Sequence, residues 1–111
     1  MIMETPDPGL DRHEWESELA SIEDDLRDSP VETLPELADL VGRMLEKRGY
    51  ALDDPVAREG EEREIVVEFQ AAREVADRVD RDEDVDPGDV ADSINSLRDL
   101  FAYVIAERET P

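Results

Sequence analysis

The apolar positions of this chain fall into four runs of helical period, separated by proline, glycine and acidic punctuation. Trp15, Leu19, Ile22 and Leu26 recur at i, i+4, i+7 and i+11, a narrow stripe that predicts an otherwise charged helix over residues 11–28. Ser29-Pro30 stops it. Ser29 with Glu32 and Thr33 with Glu36 both match a capping box, in which the hydroxyl accepts an amide bond and the glutamate returns one. Pro30 or Pro35 then fits a first turn. The second helix, over residues 34–48, presents Leu34, Leu37, Val41, Met44 and Leu45, with Leu40 on its flank. It closes at Lys47-Arg48-Gly49, because cations suit a last turn and glycine tolerates left-handed φ.

Residues 50–55 read as a connection in which Asp53 or Asp54 caps a third helix with Pro55 in its first turn. That helix is expected over residues 55–80. Ile65, Phe69, Ala72, Ala76 and Val79 lie within about 80° of arc at 100° per residue. Val67 falls on the opposite face, so either it meets a neighbouring subunit or residues 65–67 form a short strand, as β-branching favours. The apolar period continues through Val79, which favours helix. Asp86 caps a fourth helix over residues 87–108, with Pro87 at N1 and Asp89 facing the positive end of the dipole. Val90, Ile94, Leu97, Leu100, Phe101, Val104 and Ile105 give it an apolar arc of about 140°, the widest of the four stripes. Tyr103 points elsewhere. The pattern predicts an all-α, four-helix bundle-like domain over residues 11–111, its third and fourth helices an antiparallel hairpin, behind a flexible tail of residues 1–10.

Charge changes the picture. Of 111 residues 33 are acidic and 12 basic, for a net charge of -21, and Lys47 is the single lysine. Repulsion of that size opposes compaction in ordinary buffer, and molar salt, with a Debye length of about 3 Å, removes most of it. Arginine is a weakly hydrated cation suited to pairing with carboxylates. This acidic, arginine-for-lysine, aromatic-poor composition resembles that of small acidic proteins from extreme halophiles that accumulate salt in the cytoplasm, which implies a cytoplasmic protein that needs high ionic strength. A strongly negative surface without a basic stripe disfavours direct nucleic-acid binding. The absence of cysteine excludes disulfides and thiolate zinc sites. No apolar run approaches the ~18 residues of a membrane span, and Met1 to Gly9 has neither the positive region nor the apolar stretch of a cleaved signal.

Candidate chemistry is limited to carboxylates. Glu61 with Glu64 and Asp89 with Asp92 stand at i, i+3, each pair on one helix face. They resemble the E-x-x-E and E-x-x-D magnesium pairs on facing helices of MazG-type nucleotide pyrophosphohydrolases. The resemblance implies that these four residues hold magnesium, which would bridge them to phosphate. At this acidic frequency, chance alone supplies about ten such pairs, and a solvated acidic face is the preferred reading of them. Asp80, Asp82, Asp84 and Asp86 alternate like the start of a calcium loop. The sixth position is Val85 where glycine belongs, and the twelfth is Ala91 where a bidentate glutamate belongs. An acidic solvated turn, at most a weak cation site, is the reading that remains. His13, the only histidine, lacks partners for a triad or zinc site, and Trp15 reads as the anchor of the first helix.

These residues favour a small non-enzymatic helical protein without a cofactor, acting through self-association or a protein partner. The alternatives are a MazG-like hydrolase using magnesium and an acidic nucleic-acid mimic. Val67, Tyr103 and Leu100 are the candidate partner interface, and burial of these positions beside the hairpin predicts a two-fold homodimer.

Overall fold

The computed structural model describes residues 8–52 and 60–109, and all its regular structure is helical. Four α-helices follow in order: α1 Pro8–Asp28, α2 Pro30–Lys47, α3 Gly60–Asp80 and α4 Pro87–Glu109. Residues 65–67 belong to α3, so the strand alternative is replaced by helix. Two boundaries differ from the sequence pattern. Helix α1 begins at Pro8, inside the expected tail, and α2 begins at Pro30 rather than at residue 34. The remainder of that tail, residues 1–7, and the expected start of the third helix, residues 53–59 with their Asp53, Asp54 and Pro55 caps, lie outside the described residues.

Local chemistry explains each end. Ser29 alone joins α1 to α2. Its amide donates to Asp25 O at 2.8 Å, while its own carbonyl accepts from Thr33 N–H at 3.0 Å. Pro30 at N1 has no amide to leave unsatisfied. The Ser29 hydroxyl makes no capping bond and Pro35 lies inside the helix, so neither capping box forms. Helix α2 ends in a Schellman turn: Gly49, at φ +93°, donates to Glu46 O, and Tyr50 donates to Leu45 O. Helix α4 begins as its sequence implies, with the Asp86 carboxylate accepting the Gly88 amide at 2.7 Å.

The end of α3 repeats the Schellman geometry with an unsuited residue. Asp82 donates to Val79 O and Glu83 to Arg78 O, which places Asp82 at φ +61°. That region is strained for side chains bearing a Cβ, and a carboxylate opposes the negative end of the helix dipole. We expect Asp82→Gly to stabilise the protein by about 0.5–1 kcal/mol, read as a raised urea midpoint in 3 M KCl. A midpoint equal to or below that of the parent chain would show that this turn is not strained.

Helix α2 is the hub. It packs against each of the other three helices, and α3 packs against α4. Its buried residues run from Leu40 round through Leu37, Val41 and Leu45 to Gly42 and Pro35, about 220° of circumference at 100° per residue. The widest buried arc therefore belongs to α2 and not to α4, although the large buried apolar residues of each helix span about 140°. Small residues and a proline make the difference: Ala38, Gly42 and Pro35 are buried beyond the edge of the leucines. At Gly42 an added Cβ would stand 3.0 Å from Phe69 Cζ, so glycine lets α3 approach closely here.

Helices α2, α3 and α4 form a three-helix core with three outer seams. Helix α1 occupies one of them. It buries Trp15, Ile22 and Leu26, lies along α2, and is clasped by arginines of its two neighbours. Arg43 of α2 bonds Glu18 at 2.5 Å. Arg98 of α4 grips Glu23 with two bonds of 2.8 and 2.5 Å.

Candidate functional site

The two seams left open by α1 are built from different chemistry. Between α2 and α3 runs a groove of about 1070 Å³ whose floor includes Ala38, Gly42, Leu52 and Phe69. Gln70 holds its end by donating to Leu52 O at 2.6 Å. The rim carries Arg43, Arg73 and Arg81, and each is already engaged. Arg73 bonds Asp39 at 2.6 Å and Asp77 at 3.0 Å, Arg43 bonds Glu18 and Arg81 bonds Glu83. Burial alone would lower the Arg73 pKa, but hydrogen bonds and charge from Asp39 and Asp77 outweigh it and hold the guanidinium above its ordinary value. All three rim arginines are thus engaged within the chain, and Glu46 is the rim carboxylate that forms no ion pair with a described residue.

The α3–α4 seam differs. Because the hairpin is antiparallel, the start of α3 lies beside the end of α4, and the seam opens into two shallow grooves. One, of about 250 Å³, has Ile65, Leu100 and Tyr103 between Glu61, Glu64, Glu68 and Asp99. The other, of about 190 Å³, has Ala71, Ala72 and Val75 facing Ser93 and Ser96 beside Asp89 and Asp92. All six of these carboxylate residues are exposed. None forms an ion pair with another described residue, whereas eight such pairs occur elsewhere among the described residues. Arginine bonds between described residues join α1 to α2, α2 to α3, α1 to α4 and, through Arg48 and the Val104 carbonyl, α2 to α4, and none of the six groove carboxylates takes part.

The expected magnesium quartet is therefore divided. Glu61 and Glu64 stand in the first groove and Asp89 and Asp92 in the second, separated along the hairpin by its antiparallel course. Among the described residues no group of three or more acidic or histidine side chains has the geometry to hold a metal ion. The aspartates of the α3–α4 turn have structural roles instead. Asp80 ends α3, Asp82 takes the left-handed position, Asp86 caps α4, and Asp84 is exposed between them.

Of the candidate interface residues, Val67 is 48 % exposed, one of two large apolar side chains in that state among the described residues, with Val31. Tyr103 is half-buried and packs against the core. Leu100 is 2 % exposed, so it serves the core and only floors the groove. Its position on the main apolar arc of α4 explains this. Trp15 is buried and His13 is exposed on α1. The α2–α3 groove was not anticipated from sequence; the available signal was Gly42 set in the middle of an apolar face.

Glu23 titrates below the ordinary glutamate range, chiefly because of its hydrogen bonds from Arg98, with burial opposing and the Arg98 and Arg27 charges assisting. A lowered folded-state value adds stability above the unfolded pKa, and that contribution is lost as pH falls through the folded value. Both side chains are partly exposed, so solvent screening keeps the contribution small. No helix among the described residues is long and apolar enough to cross a membrane. No family model, curated protein or solved structure matches this chain.

Proposed function

We propose that this protein is a non-enzymatic interaction module that self-associates in concentrated salt through the outer face of its α3–α4 hairpin. The observation that carries the reading is the half-exposed Val67, on a helix whose seam with α4 is covered by no other described helix. The α2–α3 groove supports it from the other side, since its rim arginines are committed to ion pairs within the chain rather than held ready for an anionic substrate. A two-fold axis beside the hairpin uses the same patch twice, burying Val67 and the exposed part of Tyr103. Carboxylates flank the patch on both copies, so association depends on screening and strengthens with salt.

Light scattering after size exclusion in 2–3 M KCl tests this. The expected mass is twice the 12.6 kDa of the chain, and Val67→Asp should return it to a single chain. A 12.6 kDa species at high protein concentration would reject self-association, and a dimer that survives Val67→Asp would place the interface elsewhere.

A further inference from the structure

We infer that the α3–α4 seam is a docking site for a cationic amphipathic helix of a partner protein. This rests on the reading of the chain as an interaction module, and names the chemistry of a partner beyond a second copy.

The chain itself shows how its seams accept a helix. In the seam between α2 and α4, α1 presents the narrow stripe Trp15, Leu19, Ile22 and Leu26, and an ion pair flanks the stripe on either side, Glu18 with Arg43 and Glu23 with Arg98. A docked helix here needs few apolar residues but matched charge along both edges. Of the two remaining seams, α2–α3 is matched internally by Arg73 with Asp39 and Asp77. The α3–α4 seam instead combines an apolar floor with edges on which six carboxylates form no ion pair with a described residue, against Glu46 alone at the α2–α3 groove. Ile65, Ala72, Val75 and Tyr103 supply its floor. Glu61, Glu64 and Glu68 edge the α3 side, and Asp89, Asp92 and Asp99 the α4 side.

The complement is the α1 arrangement with the signs reversed: an apolar stripe one residue wide, with arginine or lysine on both flanks. Its length follows from the seam. Glu61 to Val75 and Asp89 to Tyr103 each span about 21 Å at 1.5 Å per residue, roughly four helical turns. A second copy of this chain presents only like charge to the seam and needs molar salt to approach. A cationic helix gains most of its attraction at low ionic strength. Because it binds the folded chain alone, it also stabilises that chain by mass action.

The test uses a synthetic helix of about fifteen residues with leucines at i, i+3 and i+4 spacing between arginines, and a scrambled peptide of equal composition. Both are titrated by fluorescence anisotropy into the full chain, in the lowest KCl concentration at which it is folded. The striped peptide should bind one to one, at least tenfold more tightly than the scrambled one. Glu64→Gln, Glu68→Gln and Asp99→Asn combined should weaken it at least tenfold. Glu14→Gln, Asp25→Asn and Asp28→Asn combined, an equal charge change on the exposed side of α1, should alter it less than twofold. No binding, equal binding of both peptides, or equal loss from the two triple variants would overturn the proposal. The mass measured without peptide decides self-association separately, so a monomer that binds the peptide and a dimer that does not are distinguishable results.

Discussion

Leu37→Ala is expected to lower stability by about 2–5 kcal/mol, the range for a leucine truncated in a packed core with little room to collapse. Leu37 is fully buried on the hub helix, which touches α1, α3 and α4 alike. A cavity there removes contacts that three helices share, and partial relaxation of one neighbour cannot refill it. Domains of this size hold about 5–15 kcal/mol in total, so the loss is a large part of the margin. Thermal unfolding followed by circular dichroism in 3 M KCl should show a midpoint lower by roughly 10 °C or more. Val67→Ala, at a half-exposed site, should shift it by no more than about 0.5 kcal/mol in the monomer. If Leu37→Ala behaved like Val67→Ala, α2 would not be the centre of the core.

The four helices were legible in the chain because apolar spacing and punctuation agree. The Asp86-Pro87 start of α4 and the Gly49 end of α2 are local chemistry, and local chemistry can be read from sequence. What spacing could not show was how helices share their surfaces. The breadth of the α2 buried face depends on Ala38, Gly42 and Pro35, residues that lie outside its leucine stripe, and at Gly42 the missing side chain lets Phe69 approach. Start positions erred at prolines for a related reason. Pro30 and Pro35 both suit a first turn, and only the bond from Thr33 to the Ser29 carbonyl shows which one is used. The candidate carboxylates were visible as types and spacings but not as neighbours. Glu61 and Asp92 each fit an i, i+3 pair, yet the antiparallel hairpin carries them to different grooves. Which acids lack a cation was hidden altogether, because Arg43, Arg73 and Arg98 find partners 25, 34 and 75 residues away.

Dilution from 3 M to 50 mM KCl is expected to unfold the protein. The radius of gyration of 14.8 Å corresponds to a sphere of radius about 19 Å, and 21 net charges spread over it repel one another far more than on an expanded chain. With Debye screening, the repulsion opposing the folded state is on the order of 15 kcal/mol at 50 mM salt and about 3 kcal/mol at 3 M. The difference of roughly 10 kcal/mol is comparable to the whole stability of a small domain. Ion pairs offset it only in part, because those among the described residues are all at least partly exposed, where a pair typically contributes about 0–1 kcal/mol. The α3–α4 seam, whose six carboxylates form no ion pair with a described residue, is where helices should separate first. Helical circular dichroism should therefore fall as KCl is withdrawn, and Glu64→Gln with Glu68→Gln should lower the KCl midpoint more than Glu14→Gln with Asp25→Asn. A cooperative thermal transition unchanged between 3 M and 50 mM KCl would reject both the salt requirement and the link to halophilic proteins drawn from composition.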